Sequence, residues 1–138
     1  MQFPSAEWAD ALRVAVNANP AYAEAARAWE GDILFLMRLG DESVASPGVR
    51  LDLAHGECRA ATYLADARET ESEFVYEGSP EAWAKLFRHE VDPVQAILDG
   101  TFRIRGNLAK AMRFTRAAKE LVESAASIPT DVVDPGTR

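Results

Sequence analysis

An α+β fold is predicted from three observations along the chain. Apolar residues recur three and four apart before Glu30, and between Gly31 and Gly78 they alternate or run continuously. After Ser79 the helical spacing returns. The 138 residues fit one ordinary domain, expected over 1–127 with a loose tail at 128–138. Within it, 1–30 reads as amino-terminal helices, 31–78 as a strand meander, and 79–127 as helices with a last strand.

The first helix opens at Ser5, whose hydroxyl suits the cap position, and carries Trp8, Leu12, Ala15 and Val16 on one face. A second runs from Pro20 to about Glu30, with Pro20 in the first turn and five alanines behind it. Asp32–Leu39 is apolar at both parities, which predicts a strand covered on both faces. Val49, Leu51 and Leu53 alternate with Arg50 and Asp52, and His55-Gly56-Glu57 turns the chain into a strand over Cys58–Ala67. Ser72–Glu77 supplies a fourth strand, and four strands with short connections predict an antiparallel meander.

Ser79-Pro80-Glu81 combines a cap, a first-turn proline and an acid, so a short helix follows, with Trp83, Leu86 and Phe87 on its inner face. Asp92-Pro93 starts another short helix, ended by Gly100, and Thr101–Arg105 is a brief strand. Asn107 caps a last helix expected to run unbroken to about Ala126, its apolar side including Leu108, Ala111, Met112, Thr115, Ala118, Leu121 and Val122.

Composition narrows the function. The longest apolar run, Ile33–Met37, falls far short of the roughly 20 residues of a transmembrane helix. Lack of a leader pattern and a single cysteine, Cys58, point to a reducing cytoplasm. A net charge of −7 disfavours nucleic acid as a partner. The stretch 103–119 runs against that balance with Arg103, Arg105, Lys110, Arg113, Arg116 and Lys119. It reads either as a solvated face or as a patch that transiently meets anionic lipid headgroups.

Little in the chain suggests chemistry. Two histidines, His55 and His89, are too few and too distant for a metal centre, so no metal and no cofactor is expected. Cys58 lies at no helix start that would favour a thiolate and reads as a buried structural cysteine, and neither a nucleophile elbow nor a phosphate-cradling loop occurs. An enzyme reading would need an acid such as Asp66 or Glu73 inside an apolar cavity with its pKa raised. Large apolar residues instead crowd the short elements between Trp83 and Phe114. They form either a dense core or the walls of a cavity.

Three segments carry a family resemblance: Trp83-Ala84-Lys85-Leu86-Phe87, then Asp92-Pro93-Val94-Gln95-Ala96-Ile97-Leu98-Asp99-Gly100, then Thr101-Phe102-Arg103-Ile104-Arg105-Gly106-Asn107-Leu108. Together they resemble the carboxy-terminal half of sterol-carrier-protein type two domains, with Gly100, Ile104 and Gly106 at the fixed positions. The helices within Phe3–Trp29 are similar to those of a prokaryotic variety. The resemblance implies a five-stranded, mainly antiparallel sheet, about five covering helices, and a hydrophobic tunnel between them. It also implies binding, and transfer, of fatty acyl chains, acyl-coenzyme A, phospholipids or sterols without chemistry. The chain ends Pro135-Gly136-Thr137-Arg138, unlike a peroxisomal address, so a straight-chain lipid is expected over a sterol. The expected lining is Phe35, Met37, Trp83, Phe87, Ile97, Leu98, Phe102 and Met112. The alternative is an accessory or interaction domain, with a homodimer among its forms and a filled core. An exposed apolar sheet face would mark it.

Overall fold

The computed structural model describes residues 1–40 and 43–132. Strand β1 (Gln2–Phe3) leads into helices α1 (Ala6–Asn17) and α2 (Pro20–Ala25). Strands β2 (Glu30–Met37), β3 (Gly48–Ala54), β4 (Glu57–Leu64) and β5 (Phe74–Gly78) follow. The rest is α3 (Pro80–Phe87), α4 (Gln95–Leu98), β6 (Arg103–Arg105), α5 (Leu108–Met112), α6 (Thr115–Ala126) and β7 (Asp131–Val132).

The helix starts follow local side-chain chemistry. The oxygens of Ser5, Asn19, Ser79 and Asn107 accept from backbone N–H groups of the first turns of α1, α2, α3 and α5, at 3.0 to 3.2 Å. Each bond satisfies a donor that a helix start would otherwise leave unpaired. Helix α2 stops at Ala25, short of the expected Glu30, because the chain turns there to bury Trp29, whose indole N–H donates to the Gly31 carbonyl.

The main sheet has five strands in the order β4-β3-β2-β5-β6. Strands β2, β3 and β4 form the antiparallel run expected of them, but β5 does not continue it. It lies on the far edge of β2 and pairs with it in parallel, Ile33 opposite Phe74 and Phe35 opposite Tyr76. The expected four-stranded meander is therefore three strands and a crossover. Residues 65–73 make the crossing, and reaching the far side of β2 takes three strand spacings, about 14 Å, well within the reach of such a segment. Short turns favour adjacent pairing, but this connection is long enough to escape that rule.

The crossing segment also covers the outer face of β2. Leu34 and Leu36 pack there with Val75, Ala67 and Leu64, while Phe35 and Met37 face the helices. Strand β2 is thus apolar on both sides for the reason its sequence predicts. The apolar outer face that would mark an interaction domain is buried at Leu34, Leu36 and Val75. Beside it, the buried Glu77 carboxylate lies 2.5 Å from Arg38 and 3.8 Å from Arg105.

Two further expectations change. The last helix is broken, giving six helices among the described residues: α5 ends at Met112, the chain turns through Arg113 and Phe114, and α6 begins at Thr115. No proline or glycine lies between Leu108 and Ala126, so local propensity predicts continuity. Tertiary packing overrides it: the turn places Phe114 edge-on against Trp29 at 5.1 Å. The expected loose tail is ordered at its start. Ile128 is buried, the Trp8 indole N–H donates to Thr130 Oγ1 at 3.0 Å, and β7 pairs in parallel with β1. The remainder, 133–138, lies outside the described residues.

Gly100 and Gly106 both adopt positive φ, 82° and 128°. A side chain at Gly100 would meet open space, whereas a Cβ at Gly106 would come within 2.6 Å of the Phe74 ring and 2.7 Å of the Glu73 carbonyl. Gly100→Ala is expected to cost about 1 kcal/mol from backbone strain alone. Gly106→Ala should cost roughly 2–4 kcal/mol, because overpacking adds to strain. Urea unfolding of the two variants checks the order, and equal losses would mean that the Gly106 turn yields freely.

Candidate functional site

One end of the space between sheet and helices is solid. Trp83 donates its indole N–H to the Leu36 carbonyl at 3.0 Å. Around it stand Phe3, Phe35, Phe87 and Phe102, with ring centroids 4.9 to 5.7 Å away. Tyr76 stacks on Phe102 at 4.4 Å.

The other end is hollow, with a cavity of about 90 Å³. Its floor is the inner face of the sheet: Ile33 and Phe35 of β2, Phe74 and Tyr76 of β5, Leu53 and Ile104 beside them. Ile97 of α4 with Val94, Ala111 and Met112 of α5, and Ala118, Leu121 and Val122 of α6 form the walls. Trp29 and Tyr22 close the end toward α2. Small side chains from α5 and α6 facing an aromatic floor leave the space unfilled.

Among the described residues, no Asp, Glu, Lys, Arg or His lines this cavity. Burial pushes the phenols of Tyr22 and Tyr76 above their ordinary value, with a smaller contribution from Cys58 at the first and from Asp92 and Asp99 at the second. Both stay protonated at neutral pH. The Tyr76 hydroxyl donates to the Pro93 carbonyl at 2.8 Å and so ties β5 to the approach of α4. Such a lining buries apolar groups and offers no carboxylate or imidazole for proton transfer.

The expected lining residues divide between the two ends. Phe35, Ile97 and Met112 line the cavity. Met37, Trp83 and Phe102 are buried in the solid core, and Phe87 packs on that core beside Phe3. Leu98 points outward, 70% exposed, and is not among the residues that line the cavity. Met112 belongs both to the wall and to the surface, being 41% exposed, so the mouth lies at α5. Tyr22, Trp29, Phe74 and Leu121 were not anticipated as lining. They come from elements far apart in sequence, and only the apolar stripe of α6 hinted at them.

The acids considered for catalysis lie elsewhere. Asp66 is exposed, and hydrogen bonds from the Arg68 guanidinium hold its carboxyl down to about 2. Glu73 is exposed and lies 2.6 Å from Lys110 Nζ. Among the described residues no group of three His, Cys, Asp or Glu could hold a metal ion, and no helix is long and apolar enough to cross a membrane. His55 Nδ1 lies 3.1 Å from the Arg27 carbonyl, and His89 Nε2 lies 3.0 Å from Glu123. Cys58 is buried, and burial pushes its thiol up to about 11.

The model of the SCP-2 sterol transfer family matches residues 10–119. A crystal structure of sterol carrier protein 2 is similar at a TM-score of 0.83 and 30% identity, covering 90% of this chain and 97% of that one. The solution structure of a conserved Thermus thermophilus protein, described as a candidate sterol carrier protein, gives 0.81 and 29%, covering 94% and 91%. Sterol carrier protein 2 from Yarrowia lipolytica, at 14% identity and a TM-score of 0.56 over 86% and 89%, shares the fold alone. None of the curated proteins matches.

Two outcomes are expected. Tyr76→Phe should lower stability by about 0.5–1.5 kcal/mol through loss of the Pro93 bond, measured by urea unfolding; no change would mean that this bond does not hold α4 down. Cys58 should stay neutral at pH 8 and react with a thiol reagent only at the rate of unfolding. Fast labelling of native protein would contradict its burial.

Proposed function

Because the chain belongs to the SCP-2 sterol transfer family, we propose that it binds one apolar ligand in the cavity between its sheet and helices α4, α5 and α6, and releases it unchanged. The observation that carries this reading is a lining without Asp, Glu, Lys, Arg or His among the described residues, which reaches the surface at Met112. Each methylene moved from water into such a lining contributes about 0.8 kcal/mol, so a chain of ~12 carbons would contribute roughly 10 kcal/mol before ordering costs.

The ligand class is a straight-chain lipid: a fatty acid, its coenzyme A ester or a phospholipid. Among the described residues, no cationic or amide side chain lines the interior to select a headgroup. A cavity of about 90 Å³ is below the roughly 300–1,000 Å³ of most ligand pockets, so uptake requires a wall to move outward. Helix α5 is the wall element with no fully buried residue.

Native mass spectrometry of freshly purified protein, followed by organic extraction, tests the reading. A stoichiometric adduct of lipid mass is expected. A clean mass that persists after incubation with fatty acids and acyl-coenzyme A would sink it. Met112→Trp at the mouth and Ala118→Phe in the wall are expected to lower bound lipid by about tenfold, near 1.4 kcal/mol, with little change in melting temperature. Unchanged lipid content with collapsed stability would make both positions ordinary core.

A further inference from the structure

The surface around the cavity mouth differs from the rest of the molecule in two respects. The first is exposed apolar bulk. Leu98 at the end of α4 is 70% exposed, Leu108 of α5 49% and Met112 41%. Leu108 and Met112 are four apart on one helix and share a face.

The second is charge. From Gly100 to Lys119 there are six cations and no acid, in a chain of net charge −7. Elsewhere five arginines are paired, Arg38 with Glu77, Arg50 with Asp32, Arg59 with Asp52, Arg68 with Asp66 and Arg88 with Glu90, and the exposed Arg13 and Arg27 stand singly among acid-bearing stretches. Arg103, Arg113 and Arg116 are exposed and take part in no ion pair among the described residues. Asp99, next to Leu98, is occupied locally, accepting from the Thr101 N–H and hydroxyl.

Unpaired arginines beside outward-pointing leucines and a methionine match a bilayer interface, with anionic headgroups at one level and acyl chains just below. The geometry points to a docking surface for an anionic membrane, formed by Leu98, Leu108 and Met112 with Arg113 and Arg116; Arg103, paired in register with Glu77, lies on the outer face of the sheet and is not part of it. The cavity mouth opens within it. Its use in loading rests on the proposed function, whereas the docking itself does not.

Sedimentation of the full chain with vesicles tests this, using phosphatidylcholine alone and equal parts of phosphatidylcholine and phosphatidylglycerol. Binding to the mixed vesicles and little to the neutral ones is expected. The double variant Arg113→Gln/Arg116→Gln should partition roughly thirtyfold less, and Leu98→Ser/Leu108→Ser should also weaken binding. All four side chains are exposed, so melting temperatures should hold. Equal binding to both vesicle types, or an unaltered partition of the arginine variant, would overturn the docking surface. Displacement from vesicles by single-stranded RNA at equal charge would overturn it as well, since the cations would then serve a nucleic acid. Lipid extraction from the same variants separates the two readings. Protein that sediments but never carries lipid would refute the cavity alone, and protein that carries lipid but ignores charged vesicles would refute the docking surface alone.

Discussion

The bond from the Trp83 indole to the Leu36 carbonyl fixes the helical layer to the central strand of the sheet. It satisfies a buried donor and acceptor together, and leaving either unpaired would cost about 1–3 kcal/mol. The rings of Phe3, Phe35, Phe87 and Phe102 then close around the indole, each pair adding roughly 0.5–1.5 kcal/mol beyond the area it buries. Because β2 lies between β3 and β5, anchoring it orders strands on both sides. A sheet held this firmly at one end tolerates a hollow at the other.

That division explains which side chains meet the cavity. Trp83, Phe3, Phe87 and Phe102 pack on one another in the solid end and so stay out of the lining, whereas Trp29, Tyr22, Phe74 and Tyr76 face the hollow. The hollow end combines a broad floor with the small residues Ala111, Ala117 and Ala118 opposite it. Crowding of large apolar residues in sequence marks the region of the core but not the void within it. The void is better signalled by small residues on the face of a helix that crosses an aromatic sheet.

Features set by local chemistry were legible in the sequence. Ser5, Ser79 and Asn107 cap helices because their oxygens reach the next turn, and Gly100 and Gly106 adopt the positive φ their positions suggest. The double-faced apolar character of β2 was equally plain, as was the resemblance carried by residues 83–108. Three features were not legible. The parallel partner of β5 depends on where a crossing segment lands, and the break after Met112 depends on Trp29, some eighty positions earlier in the chain. The lining draws Tyr22, Phe74 and Leu121 from three separate elements. Each is decided by contacts between distant residues, to which periodicity within one element is blind.

Helix α5 buries none of its residues completely, and its hold on the sheet centres on Lys110. That ammonium lies 2.8 Å from the Glu30 carbonyl, 2.6 Å from Glu73 and 4.8 Å from the centre of the Trp29 ring. Segments fastened by polar contacts rather than by buried area open at a cost well below that of global unfolding. Ionic strength weakens a partly exposed ion pair but leaves apolar burial nearly untouched. For a guest held as proposed, the rate of departure would thus follow a salt-sensitive latch and its identity the dry wall behind it. Residence time and selectivity would then be separate properties of the same small domain.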